Sequence, residues 1–125
     1  MATVKTFAFS LISAGSDIIG AVSANIGGPF RITQIQFVST VISADTRRLR
    51  VFVAPDNDPA GVAAPNGTNL LSSAGATNYF VPDDQPISLS LGFVVPDFNR
   101  FLKVQFDNTV AGAATVSGSI TVELL

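Results

Sequence analysis

The groups in this chain best able to do chemistry are carboxylates, and several come close together. Asp56 and Asp58 stand two apart, Asp83 and Asp84 are adjacent, and Asp97 and Asp107 follow. Two carboxyl groups flanking a glycosidic bond can hydrolyse it, one as acid and one as base or nucleophile. All of these Asp residues, however, sit among turn formers, where Asp commonly bonds its own backbone. A sugar cleft also needs stacking surfaces, and the chain has no Trp and only one Tyr, Tyr79. His and Cys are absent, which removes Ser–His–Asp and Cys–His relays, histidine bases and the ordinary zinc sites. No Ser occupies a G-x-S-x-G elbow. A Ser–Lys dyad would need Lys5 or Lys103, and both fall in alternating strand segments where a solvated lysine is expected. No glycine-rich phosphate loop opens a helix. The reading from these residues is no enzyme and no cofactor.

Metal binding has one foothold. Asp56-x-Asp58 offers hard oxygen donors in a loop, and calcium takes six to eight of them. The glycine and distal glutamate of an EF-hand are missing, so no metal is expected. Whether this loop holds calcium is left open by the sequence.

The charge balance narrows the partners. Charged residues make up 13% of the 125, against about 25% in an average domain. Hydrophobic residues make up 47%, which argues against disorder. A formal net charge of −2 gives no basic face for nucleic acid. Arg47, Arg48 and Arg50 cluster, and arginine forks onto carboxylates bidentately. They read either as a turn plus a solvated strand face or as contacts to an acidic partner. No run approaches the roughly 18 apolar residues of a membrane helix. The start, Met1 to Phe7, lacks the basic and apolar regions of a signal peptide, so synthesis and folding in a cytoplasm are expected. Asn66-Gly67-Thr68 matches a glycosylation acceptor but reads as a tight turn.

The elements that must position these groups are strands. Gly or Pro punctuates the chain every dozen residues or so, and no segment keeps helical spacing over three turns. Period-two alternation predicts strands over 3–12, 18–24, 30–43, 48–54, 87–95, 100–107 and 115–125, with two short ones over 69–73 and 77–81. In 30–43 the apolar phase switches from even (Phe30, Ile32) to odd (Ile35, Phe37, Val41), which predicts a bulge near Thr33-Gln34. Residues 30–43 and 47–54 read as a hairpin. The longest loop runs from Pro55 to Gly67. About eight strands at a spacing of roughly 8–12 residues predict an all-β antiparallel sandwich, jelly-roll-like, with an Ig-like sandwich as the alternative. The chain is read as a single domain over 1–125, with 1–24 an N-terminal strand pair or an arm.

Most of the ten Phe residues fall on apolar strand faces and are core candidates. Phe52 and Phe101 fall opposite their strands' aliphatic faces, which on a two-layer sandwich should meet water. Exposed aromatics mark partner surfaces. The interface candidates are therefore Arg47, Arg48, Arg50, Phe52 and Phe101. An apolar content this high also suggests cover by further copies of the chain, as in a symmetric homo-oligomer.

Three stretches carry a resemblance. They are Phe30-Arg31-Ile32-Thr33-Gln34-Ile35-Gln36-Phe37, then Arg48–Val53 with the Pro55–Pro59 loop, then Phe101-Leu102-Lys103-Val104-Gln105-Phe106-Asp107-Asn108 with a Gly/Ala turn into the last strand. As a pattern of strands and turns over 29–125, this resembles the small β-sandwich virion proteins of tailed bacteriophages, such as capsid decoration (cement) proteins and head or tail accessory domains. The resemblance contains no unique motif and brings no catalytic residue; residues 2–24 lie outside it. It implies a structural protein made in the host cytoplasm and located in the virion. Such a protein would dock on capsid or other virion proteins as an oligomer, without nucleic acid or membrane. A carbohydrate- or surface-binding sandwich is the alternative.

Overall fold

The computed structural model describes residues 3–58, 67–70 and 79–125. These form eight strands: β1 (Thr3–Ser13), β2 (Asp17–Val22), β3 (Phe30–Ser39), β4 (Arg47–Ala54), β5 (Thr68–Asn69), β6 (Ile87–Val95), β7 (Phe101–Asn108) and β8 (Ala114–Leu124). They make two four-stranded sheets, ordered β1-β8-β3-β6 and β2-β7-β4-β5. Every neighbouring pair is antiparallel. This order, with the chain passing repeatedly from one sheet to the other, is the jelly roll. It replaces the Ig-like alternative. No helix occurs among the described residues.

Alternation decides which side each strand buries. Phe9 and Leu11 of β1, Phe30, Ile32, Ile35 and Phe37 of β3, and Val116, Ile120 and Val122 of β8 point inward from the first sheet. Leu49, Val51 and Val53 of β4 and Leu102, Val104 and Phe106 of β7 meet them from the second. Each such side chain contributes about 1.5–3 kcal/mol relative to leaving it in water. The expected bulge is present, with the register of β3 against both neighbours shifting between Ile32 and Gln34. Thr33 is the extra residue against β8, and its hydroxyl donates to the Thr121 carbonyl at 3.2 Å. The bulge lets Phe30 and Ile32, then Ile35 and Phe37, all reach one core.

Mid-strand Gly118 faces that core between Phe9 and Phe37, its register partners. A Cβ there would stand 2.0 Å from the Gln36 carbonyl oxygen and 2.9 Å from the Phe9 ring. The missing side chain is what lets β3 and the Phe9 ring close over β8. Gly67 adopts φ +138° directly before β5, a backbone conformation that favours glycine. Asn66 lies outside the described residues.

One expectation needs correction. Residues 30–43 and 47–54 do not form a hairpin: β3 pairs with β8 and β6, whereas β4 pairs with β7 and β5. Both strands carry strong apolar faces, and these meet across the sandwich instead of lying side by side in one sheet. Of the expected strand 69–73 only the first two residues are described, Asn69 in β5 and Leu70 after it; 71–73 lie outside the described residues. Of 77–81, Phe80 makes a single bridge to Leu49, and residues 71–78 lie outside the described set. The first 24 residues supply one border strand to each sheet: β1 against β8 and β2 against β7.

Candidate functional site

The charged groups gather on the outer face of the second sheet. In β4 and β7 the residues that alternate with the core ones are Arg48, Arg50 and Phe52, and Lys103, Gln105 and Asp107. Antiparallel register sets Arg48 opposite Asp107, Arg50 opposite Gln105 and Phe52 opposite Lys103. Arg50 donates to Gln105 Oε1 at 3.2 Å and to Asp107 Oδ2 at 3.1 Å. Lys103 Nζ lies 2.6 Å from Asp56 Oδ1. The Tyr79 ring lies against both guanidinium groups, 4.8 Å from Arg48 and 5.4 Å from Arg50. Its hydroxyl donates to Asp45 at 2.6 Å, and Arg48 Nε donates to the Asp45 carbonyl at 2.8 Å. The bond to Asp45 raises the Tyr79 pKa, because ionising the phenol would sacrifice that donor beside a carboxylate.

This arrangement holds charges in place. Arg50, Lys103, Asp56 and Asp107 are all committed to internal partners. No described Ser or Thr hydroxyl bonds Lys103 or Asp107 as a nucleophile would bond its base. Asp56, the carboxylate that gave calcium its foothold, has an ammonium against one oxygen and the Asp58 N–H at 3.2 Å on the same atom. Among the described residues no three acidic groups converge on a point. A cleft of about 440 Å³ opens between β4, β5 and β6, lined by Val53, Thr68, Phe93, Val95, Asp97 and Arg100 among others. Its Asp97 and Arg100 pair with each other at 3.9 Å.

The interface candidates fare unequally. Phe52 is not in water: it is 2% exposed, packed on the outer face beside Lys103. Arg50 is also buried, at 7%, because two acceptors and an aromatic ring surround its guanidinium. Lys103, expected to be solvated, is fully buried. Arg47, Arg48 and Phe101 are half-buried. Arg47 stands on the core-side parity at the strand end, opposite Asn108, with its guanidinium against Gly112. The structure thus joins Arg48 and Arg50 through Tyr79 and leaves Arg47 and Phe101 at separate ends of the sheet. Tyr79, Asp45 and the Lys103–Asp56 pair were not singled out as parts of this cluster. The period-two pattern already placed Lys103, Gln105 and Asp107 on one face, but nothing local says that β7 lies beside β4.

The outer face of the first sheet is different in kind. It presents Thr6, Ala8 and Ser10 of β1, Ser117, Ser119 and Thr121 of β8, Gln34 and Gln36 of β3, and Ser88 and Ser90 of β6. Short side chains bond across it: Gln34 to Ser88 at 2.8 Å, Gln36 to Ser119 at 3.0 Å, and Ser10 with Ser117 at 3.4 Å. Its charges are the exposed pair Arg31–Glu123 at one end, 3.8 Å apart.

Neither a protein-family model nor a curated protein matches the chain. Among solved structures, the capsid asymmetric unit of cyanophage Pam1 is 16% identical with a TM-score of 0.49, over 99% of this chain and 86% of that one. The infectious bursal disease virus Gx strain structure is 18% identical with a TM-score of 0.48, over 99% of this chain and 33% of that one. The Yersinia pseudotuberculosis-derived mitogen is 9% identical with a TM-score of 0.42, over 97% and 86%. The class is set by strand order alone, independently of these likenesses: an eight-stranded jelly-roll sandwich.

Proposed function

We propose that the chain is a non-enzymatic structural protein of a virion. In this reading it is a capsid decoration or head/tail accessory protein that docks through its sandwich surfaces and assembles as an oligomer. The observation that carries the reading is the division of charge between the sheets. One outer face holds its ions in internal pairs, and the other is broad, exposed and almost free of charge. A surface of short hydroxyl and amide groups, several already bonded to one another, costs less to desolvate than a charged one and fits a partner by shape. The jelly roll is a recurrent architecture of capsid and lectin domains. The lectin branch finds less support, since the single Tyr already has two guanidinium groups against its ring. Arg47, Arg48 and Phe101 belong to the second sheet and would meet a separate partner surface there; Arg50 and Phe52 are buried and would not.

The test is co-sedimentation of the purified protein with candidate phage particles, followed by electron microscopy of the pellets. Saturable binding at regular lattice positions is expected, weakened by a Ser117→Glu, Ser119→Glu variant that puts charge on the first sheet. Failure to bind any particle, or turnover of a substrate, would overturn it.

A further inference from the structure

We infer that a pocket between the two sheets, with Lys5 at its wall, binds a small aliphatic carboxylate. The ammonium holds the acid group and the apolar walls hold the chain. The pocket has a volume of about 140 Å³. Phe7 of β1 and Val122 of β8 line it from the first sheet, and Leu102 of β7 with Ile26 from the second. Residues 23–26 continue beside β7 after β2 ends, with the Ser23 and Ile26 amides donating to the Leu102 and Arg100 carbonyls.

Lys5 stands where the strand pattern calls for an apolar residue. It shares the inward parity of Phe7, Phe9 and Leu11 and pairs in register with buried Val122. Its Nζ donates to the Ile26 carbonyl at 3.1 Å, which fixes the ammonium at the pocket wall. That acceptor is neutral, and no described carboxylate lies within 4.0 Å of Nζ. The other lysine, Lys103, has Asp56. An ammonium has three donors, so two remain for a ligand. The remaining polar groups inside are committed. The Ser23 hydroxyl donates to the Ala24 carbonyl and accepts the Leu102 N–H, and the Asn25 amide bonds Gly27 and Asn99. The lining runs inward from Lys5 to Phe7 and does not include Thr3, so the strand's outer end is no part of it.

The wall thus offers a ligand one positive charge and otherwise hydrocarbon. A carboxylate matches a single ammonium, whereas a phosphate dianion would bring a second charge against apolar walls. At roughly the 30 Å³ that one water occupies, the pocket takes about four or five non-hydrogen atoms. A straight acid of about four to six carbons fits, with its head at Lys5. The site goes beyond the virion role and stands or falls apart from it.

NMR titration of the purified chain with pentanoate tests it, with acetate and pentylammonium at equal ionic strength as comparisons. Saturable shifts are expected at the Leu102 and Val122 methyls and the Phe7 ring, half-complete at about 1 mM. Acetate, which leaves the walls bare, and pentylammonium, which repels Lys5, are expected to bind at least about tenfold more weakly. Lys5→Met keeps the stem and removes the charge. It is expected to weaken pentanoate about tenfold and to abolish the preference over pentylammonium, while Lys5→Arg retains both. Lys5 is exposed, so both variants should fold, and matching melting curves check this. No saturable shift, shifts centred elsewhere, equal binding of pentylammonium, or a Lys5→Met variant that binds like wild type would each overturn the inference.

Discussion

Lys103 carries an ammonium group into a place with 1% side-chain exposure, while its partner Asp56 keeps 33%. The two ends of this pair therefore respond differently to mutation. Asp56→Ala strands a buried cation and is expected to cost about 3 kcal/mol. Lys103→Met removes the buried charge, keeps the apolar stem beside Phe52, and leaves a carboxylate that water can reach; it is expected to stay within about 1 kcal/mol of wild type. Urea unfolding of both variants checks the ordering. Asp83 makes a second, pH-dependent case. Its carboxylate accepts the N–H groups of Asp84 at 2.9 Å and Ser43 at 3.0 Å, and these hold its pKa below the ordinary aspartate value. The folded value is the lower one, so this contribution is complete above about pH 4. It is lost as pH falls through the folded value. Melting temperature against pH is expected to drop less steeply on the acid side for Asp83→Asn than for wild type.

Among the elements, the central glycine of β8 and the glycine of β6 should behave oppositely. Gly118→Ala forces a methyl group against the Gln36 carbonyl and the Phe9 ring, and about 1–3 kcal/mol of stability is expected to be lost. Gly92→Ala meets nothing and is expected to be neutral or to gain up to about 1 kcal/mol. Thermal melts of the two variants decide this. The same strands show what the chain discloses by itself. β6 spans the nine residues its alternation marks, and the phase switch in β3 locates the bulge to within one residue. Both are local signals, carried by successive side chains. The neighbours of a strand are not local: β3 and β4 follow each other yet lie in opposite sheets. For that reason Phe52, Arg50 and Lys103 look like surface residues in the sequence. Their burial comes from strands and turns far along the chain, including Asp56 and Tyr79, which period two cannot place.

At the scale of the molecule, the border strand β1 is held by β8 alone, and β8 also holds β3. The pairs Thr3↔Leu124 and Phe30↔Leu124 bring together residues from the first, second and last parts of the chain. Such non-local pairing predicts folding in milliseconds to seconds, measurable by stopped-flow dilution from urea. It also predicts that a chain cut after Ala113 loses its cooperative melt entirely, since β1 and β3 then lack their shared neighbour. The β1–β8 ladder has a practical corollary. Thr3 and Leu124 emerge at one corner, whereas β6 borders the same sheet three strand spacings away, about 14 Å. A fluorophore or affinity handle joined beyond Thr3 or Leu124 would thus start from that corner. It would report on traffic at the far margin without standing in its way.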